Sequence, residues 1–436
     1  MRDWSPEQVA RAAGGRLVAP APRDAVPPGP SRAVIDSRAA GPGDLFVGLV
    51  GEHVDGGRFA AQALAGGAWG VLVAPEHADA ARAADTARPP AVIAAPDPLH
   101  ALQRLANAWR RALGCPVVGI TGSVGKTSTK DILAAMLAQR LRTVANRENL
   151  NTEIGLPMTV LEAPAGTEVL VLEMGMRGPG QIAELTAIAE PEVGVITAVA
   201  PVHLELMGSI EAIAAAKAEL VAGLRSGGTA IVPAREALLE AHRRDDVTTV
   251  TFGPGGDVDA LPEGLQLSFT SAHMRRNALA ALAAARAVGV EPDGLLDVAL
   301  SSLRGERIEL PGDIVVVNDC YNANPMSMRA ALDDLAASAS GRRVAVLGDM
   351  LELGPDEDRF HAEIGIHARE SGVDLLVAVG PRAAHLADGY GEVVALPDAQ
   401  AAAAAVPGLL EPGDTVLLKG SRGVGLEVVA RALEGA

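Results

Sequence analysis

Pro116-Val117-Val118-Gly119-Ile120-Thr121-Gly122-Ser123-Val124-Gly125-Lys126-Thr127-Ser128-Thr129 is the stretch whose reading decides the fold. Its first five residues form an apolar, β-branched run of the kind that fills a buried strand, and an apolar helical period follows the last without a spacer. Between them lies a phosphate-binding loop. Gly122 and Gly125 let the backbone curl until several N–H groups and a helix N-terminus point at one anion. Lys126 adds a point charge, and Thr127 a hydroxyl suited to Mg²⁺. The strict G-x-x-x-x-G-K-[ST] pattern needs glycine at 120, where this chain has Ile120, so the motif is a T-G-x-x-G-K-T variant. With strand, loop and helix in the required order, Gly122, Ser123, Val124, Gly125, Lys126, Thr127 and Ser128 are candidates for holding a nucleotide; a chance match is the competing reading.

The chain is 436 residues long. Single cores stop growing beyond ~250–300 residues, so two to four domains are expected. Hydrophobic residues make up 49% of the chain but aromatics only 2%, so the interior must be built from Ala, Val, Leu and Ile. A net charge of −17 and a pI near 5.0 argue against a sequence-independent grip on nucleic acid, which needs surplus Lys and Arg at the phosphates. An acidic ligand must therefore meet a local positive site. Cys115 and Cys320 lie far apart without metal-ligand spacing, which suits a reducing compartment rather than a disulfide framework. The N-terminus has no apolar signal-peptide core, and no uncharged apolar run reaches about 20 residues. A soluble, cytoplasmic chain without stable membrane insertion is expected, acting as a monomer.

Period and punctuation divide the chain in three. Residues 1–97 form a first unit, with strands at 33–35, 44–49 and 69–73 and a helix at 59–64. Its polar stretches, Asp36-Ser37-Arg38 and the Gly-rich 51–57, could hold a diphosphate or sugar, or could simply be turns. Residues 98–304 form a central unit, opening with a helix at 100–113 and running through the phosphate loop. The segment 146–157 is polar and punctuated by Gly and Pro, and reads as a loop. Val169-Leu170-Val171-Leu172-Glu173 is an apolar strand ending in a carboxylate; in a phosphate-loop fold such a strand runs beside the first, and its acid reaches the nucleotide's Mg²⁺. His203 follows another buried-strand run at 193–199, where ligands bind in open α/β sheets. Helices at 210–224 and 273–287 carry Lys217 and Asn277.

Residues 305–436 repeat the strand–helix alternation, which predicts a mostly parallel sheet covered on both faces. Three polar strand ends, at 319–325, 348–350 and 419–422, should share one carboxyl edge and make it a ligand face. The expected fold class is α/β in three domains: a small α/β substrate domain, a central parallel-sheet ATPase domain with the phosphate loop, and a C-terminal Rossmann-like domain.

Several stretches together resemble the Mur ligases of peptidoglycan synthesis: T-G-S-V-G-K-T-S-T-K at 121–130, N-L-N-T-E-I-G-L-P at 149–157, E-M-G-M-R-G-P-G-Q-I at 173–182, H-L-E-L-M-G-S at 203–209, Y-N-A-N-P-M-S-M at 321–328, G-D-M-L-E-L-G at 348–354 and K-G-S-R at 419–422. The Y-N-A-N-P and G-D-M-x-E-L-G pair resembles the branch that adds a D-alanyl-D-alanine dipeptide. The resemblance implies an ATP-dependent amide ligase that activates a carboxylate of UDP-N-acetylmuramoyl-tripeptide as an acyl phosphate and captures it with D-alanyl-D-alanine. It implies Lys126 on the ATP phosphates, and Thr127, Glu173 and His203 around Mg²⁺. Lys217 matches a lysine that several Mur ligases carry as a carbamate. Asn277 matches an adenine contact, and Arg307 and Asp319 match contacts to phosphate and ribose. Tyr321, Asn322 and Asn324 fall where the dipeptide enters, Ser37 and Arg38 in the UDP-sugar site, and Asn151 and Thr152 at the muramoyl-peptide. Lys126, His203, Lys217 and Arg307 are the implied catalytic set. The chain departs from the pattern at Thr152, Gly57 and Met274, where many relatives have Asn, His and Asn. A related ligase adding another amine, of Mur or folylpolyglutamate type, and a nucleotide-dependent switch without ligase chemistry are the alternatives.

Overall fold

The computed structural model describes residues 1–19, 29–86, 89–147, 149–202, 204–269, 271–299, 301 and 303–435. The apolar run before the phosphate loop is the strand Val117–Thr121, buried throughout. It lies inside a six-stranded, wholly parallel sheet, between Val169–Glu173 and Val193–Ile196. Strands buried on both faces read as continuous apolar runs, which is why these three are legible. Thr143–Ala145 extends the sheet on one side, and Thr229–Pro233 and Thr248–Phe252 extend it on the other. Thr248-Thr249-Val250-Thr251-Phe252 is too polar to stand out as a buried strand.

Helices Lys126–Ala138 and Ala272–Ala287 share a core with Val118, Ile120, Val171 and Val195 on one face of this sheet. Gly155–Glu162, Gln181–Ala189 and Ile210–Ala222 cover the other. The first of these corrects the reading of 146–157 as loop, because Gly155-Leu156-Pro157 opens a helix. Proline is tolerated there, in the first turn, where a missing N–H breaks no intrahelical bond, and Thr152 Oγ1 accepts the Gly155 N–H at 3.3 Å.

The first sheet has the spatial order Arg16–Ala19, Ala91–Ala94, Gly70–Val73, Asp44–Val47, Arg32–Val34, parallel except for its first pair. Helices Ala60–Ala65 and Pro75–Arg82 close one face. The other face meets helix Pro98–Leu113, and here the core runs into the central sheet without a break: Leu45, Leu72, Ile93, Leu102 and Leu105 belong to one cluster with Leu170, Leu172 and Ile196.

The third sheet has the order Glu306–Leu310, Ile314–Asn318, Thr415–Lys419, Arg343–Gly348, Leu375–Val379, Val394–Leu396, again parallel after an initial antiparallel hairpin. Pro325–Ser338 and Glu357–Glu370 cover one face, Ala399–Ala405 and Glu427–Glu434 the other. Thr415–Lys419, the last strand of the chain, inserts between Ile314–Asn318 and Arg343–Gly348. That insertion makes the three polar strand ends neighbours. The expected α/β class and alternation are present.

On the outside of the third sheet, Glu357–Glu370 crosses the short helix Leu386–Tyr390 so closely that a Cβ at Gly365 would lie 2.0 Å from the Leu386 carbonyl oxygen. A backbone atom has no rotamer with which to yield. Gly365→Ala is therefore expected to destabilise the protein by about 1–3 kcal/mol, read as a lower urea midpoint.

Candidate active site

Both loop glycines are required by their surroundings. Gly122 sits at φ 146°, and a Cβ there would fall 1.9 Å from Thr197 Oγ1; Gly125 sits at φ 82°, with Asn277 Oδ1 2.4 Å from where its Cβ would be. The loop is laced to the chain leaving Val193–Ile196. Ser123 N–H donates to Ala198 O (2.9 Å), Ser123 Oγ accepts from Ala200 N (2.9 Å) and donates to Ala200 O (3.0 Å), and Thr197 Oγ1 donates to Val124 O (2.6 Å). Helix Lys126–Ala138 then starts at Gly125 with no side-chain cap. Its first N–H groups are thus open to an anion, and Lys126 Nζ, 2.8 Å from Gly122 O, lies against the same loop. These features fit a nucleotide phosphate.

The register that pairs Ile120 with Glu173 brings the strand-end carboxylate beside the loop. Thr127 Oγ1 donates to Glu173 Oε2 (2.7 Å) and Asn151 Nδ2 to Glu173 Oε1 (2.7 Å), with Thr127 and Glu173 both buried. Asn146 fixes the backbone of Glu173, accepting its N–H (2.8 Å) and donating to its carbonyl (3.0 Å). Asn151 thus lies on Glu173, and Thr152 at the start of a helix, where the sequence suggested contacts to the muramoyl-peptide. A hydroxyl beside a carboxylate is an oxygen donor set that fits Mg²⁺, whose remaining positions normally go to phosphate oxygens and water. Among the described residues no group of three His, Cys, Asp or Glu side chains could hold a metal, and His203 lies outside the described residues.

Cations gather at this point. Lys217 is 1% exposed, and among the described residues no hydrogen bond or ion pair reaches it. Burial pushes its ammonium far below the ordinary range, and Lys126 pushes the same way. Burial likewise lowers Lys126, against the pull of Glu173 and with a further push from Arg304. Like charges collected at low exposure are unfavourable without an anion among them.

Arg304 was not a candidate from the sequence. Its guanidinium carbon stacks 3.9 Å from the centre of the Tyr321 ring, and among the described residues its buried Nε has no hydrogen-bond partner. Arg307, the residue that the resemblance implies at the phosphate, is exposed on the edge strand Glu306–Leu310, opposite Val317. The cause is local: Leu303 and Gly305 both take left-handed conformations, at φ 63° and 72°, so the chain turns around Arg304 before the strand begins. An arginine one position before a glycine at the start of a strand was the available signal.

At the carboxyl edge of the third sheet, buried Lys419 ion-pairs with Asp319 and donates to Asn322 O at 3.1 Å. Ser421 N–H donates to Asp349 O, and Ser421 Oγ accepts the Leu351 N–H, each at 2.9 Å, so all three strand ends are tied together. Asn322 Oδ1 accepts the Ala323 N–H (2.9 Å). Asn324 is buried and occupied in a capping box, accepting the Ser327 N–H (3.0 Å) while Ser327 Oγ accepts its own (3.1 Å). Asn-Pro-x-Ser before an apolar helical period is a helix-start signature in its own right. The third sheet and its helices meet the central unit where His273 Nδ1 lies 2.5 Å from Asp334 Oδ2, on helix Pro325–Ser338, and where Glu205 N–H donates to Glu352 O at 3.4 Å. Ser37, whose Oγ donates to Gln62 Oε1 (3.2 Å), and Arg38, paired with Asp36 at 2.8 Å, are on the first sheet. Among the described residues no hydrogen bond or ion pair links them to either cluster.

A cavity of about 490 Å³ lined by Arg110, Arg111, Cys115, Glu192 and Arg225 opens at the amino end of Val117–Thr121, opposite the phosphate loop, and its arginines are paired with Glu190 and Glu192.

The Mur ligase middle domain matches residues 120–275, the Mur ligase glutamate ligase domain residues 303–422, and the Mur ligase family catalytic domain residues 33–110. The chain belongs to the Mur ligase family. It is 38% identical to UDP-N-acetylmuramoyl-tripeptide–D-alanyl-D-alanine ligase of Synechocystis sp., over 91% of this chain and 90% of that one. Among solved structures it is similar to MurF from Acinetobacter baumannii, at 30% identity and a TM-score of 0.86, with 99% of each chain covered. It is similar also to MurF ligase from Thermotoga maritima in complex with ADP, at 29% identity and a TM-score of 0.81, covering 93% of this chain and 97% of that one.

In this Mur ligase a buried histidine supports the third-sheet edge. His361 is 0% exposed; its Nε2 accepts the Met350 N–H (3.0 Å) and its Nδ1–H donates to Glu357 O (2.7 Å), an arrangement only the neutral ring can make. Burial pushes its pKa below the ordinary 6.5, against the raising effect of the Glu357 carbonyl. The unfolded chain therefore binds a proton at His361 more readily than the folded one. The stability that His361 contributes is complete above about pH 6.5 and is lost as pH falls below it, by at most about 1.4 kcal/mol per pH unit. Urea midpoints compared at about pH 7.5 and about pH 5.5 should fall more for the wild type than for His361→Gln.

Proposed function

We propose that this Mur ligase joins D-alanyl-D-alanine to UDP-N-acetylmuramoyl-tripeptide at the expense of ATP, in the synthesis of peptidoglycan precursors. Support comes from one juxtaposition above all: an uncapped phosphate loop with Lys126, Thr127, Glu173 and Arg304 around it, joined to a third sheet whose edge carries Tyr-Asn-Ala-Asn-Pro. Residues 1–97 bind the UDP-sugar, 98–304 bind ATP, and 305–436 receive the dipeptide. Ser37 and Arg38 are the UDP-sugar contacts, Asn277 the adenine contact, Asp319 the ribose contact, and Tyr321 and Asn322 line the dipeptide's entry. The protein acts as a cytoplasmic monomer.

A carboxylate resists nucleophilic attack because the new charge would fall on a group already anionic. Phosphorylation by ATP converts it to an acyl phosphate and supplies a leaving group. Two anions must first approach each other, so the work of the site is to hold positive charge where they meet: the open N–H groups after Gly125, Lys126 and Arg304. Thr127 and Glu173, together with His203, would hold Mg²⁺, which would supply further positive charge at the phosphate. The second reaction needs an unprotonated amine. An α-amino group with a pKa of ~7.7–8.0 is only about one-tenth neutral at pH 7, so a group that accepts its proton assists. Holding acid and amine in one frame, away from water, contributes the remainder through effective concentration.

Lys217 has a role here that its burial suggests. Burial favours the neutral amine of Lys217, the form that adds CO₂ with loss of a proton, and the resulting carbamate is an anion that would offset Lys126 and Arg304. Wild-type protein in bicarbonate should gain the mass of one CO₂, which Lys217→Ala should lack, and added short carboxylates or bicarbonate should restore part of the variant's turnover. An intact-mass spectrum without the adduct, and no rescue, would remove this role.

ADP release measured with UDP-N-acetylmuramoyl-tripeptide and a panel of amines tests the whole reading. Turnover should require D-alanyl-D-alanine, and Lys126→Ala and Arg304→Ala should each lose about 10²–10³ in rate with the fold intact. Turnover with glutamate or a diamino acid in place of the dipeptide would instead identify a sibling reaction.

A further inference from the structure

Ser301 and residues 303–305 belong to the strap between the central sheet and the third, and one carboxylate holds its start. Asp131 Oδ2 accepts both the backbone N–H and the hydroxyl of Ser301, each at 2.9 Å. Asp131 lies on helix Lys126–Ala138, the same helix whose open end forms the phosphate site. Its other oxygen is 3.0 Å from buried Lys130 Nζ, which also donates to Asn146 O at 2.7 Å, and Asn146 holds the backbone of Glu173. At the far end of the strap the Tyr321 N–H donates to Leu303 O at 3.2 Å. Leu303, itself the second anchor, is held at φ 63°, a conformation costing a side-chain-bearing residue about 1–2 kcal/mol, which persists only where the surroundings impose it.

We infer that Asp131 is a positioning residue that acts through Arg304: by clamping Ser301 to the phosphate-loop helix it fixes the turn that delivers the Arg304 guanidinium to the phosphate site. This rests on the ligase reading proposed above. The geometry supplies what such a device needs. The arginine is three residues from the clamp, its ring platform Tyr321 belongs to the third sheet, and the clamp itself belongs to the nucleotide-binding helix. A bound nucleotide and the third sheet are thus referred to one rigid element. A guanidinium displaced by about 1 Å at a site of this kind loses on the order of 10²-fold in rate.

The test is a double-mutant cycle on turnover, with wild-type ADP release shown first to depend on D-alanyl-D-alanine. Asp131→Ala should lower kcat by about 10- to 100-fold with the KM for ATP nearly unchanged, and Asp131→Ala/Arg304→Ala should be no slower than Arg304→Ala alone. Unchanged kcat in Asp131→Ala, or losses that multiply in the double variant, would overturn the inference and leave the ligase reading standing. Wild-type protein without amine-dependent turnover would overturn both. Should Asp131→Ala lack a cooperative thermal transition, the Ser301 side of the clamp decides: Ser301→Ala should lower kcat, Ser301→Thr should restore it, and neither should add to the loss in an Arg304→Ala background, whereas independent losses would refute the coupling.

Discussion

The first N–H groups of helix Lys126–Ala138 have no side chain to satisfy them, and much of the molecule is arranged around that deficiency. A helix end left open inside a protein is unfavourable unless an anion or water completes it. Here the opening is kept by backbone geometry at Gly122 and Gly125 and by the bonds that tie Ser123 and Val124 to the segment 197–200. Parallel strands on either side bring in Glu173 and Thr197 from the same carboxyl edge. Phosphate site and neighbouring carboxylate are therefore consequences of one sheet order.

Positive charge is the second theme. Lys126, Lys217 and Arg304 come from three parts of the chain that are remote in sequence; Arg304 makes the charge on Lys126 less favourable, and Lys126 does the same to Lys217. Such an arrangement is stable when phosphates or a carbamate lie among them, so the protein is electrostatically incomplete in a way that complements its substrates. A chain of net charge −17 needs such a local concentration of cations to attract a nucleotide.

Much of this was legible beforehand, for identifiable reasons. Val117–Thr121 and Val169–Glu173 are doubly buried and therefore apolar without interruption, and the loop between strand and helix carries its chemistry in adjacent residues. Thr248–Phe252 was missed because its composition is half polar, and Gly155–Glu162 because Gly and Pro, usually breakers, occupy its first turn. Arg304 did not stand out beside Arg307 in the sequence, since its position next to Lys126 rests on a left-handed backbone at Leu303 that no propensity favours. Asn324 has a structural duty that the motif did not announce: its side chain caps its own helix. His203 lies outside the described residues, so its place beside Glu173 belongs to the proposal and not to the geometry.

The apolar cluster that runs from Val9 through helix Pro98–Leu113 to Val247 has a mechanical implication. The first two sheets share one interior, so neither can rotate on the other without opening water-excluding contacts along the whole seam. The third sheet has two interiors of its own, and among the described residues it meets the rest through Leu204, which packs against both sides, and a few polar contacts. Rigid-body freedom is thereby confined to a single joint, and the molecule is a two-piece jaw rather than a string of three beads.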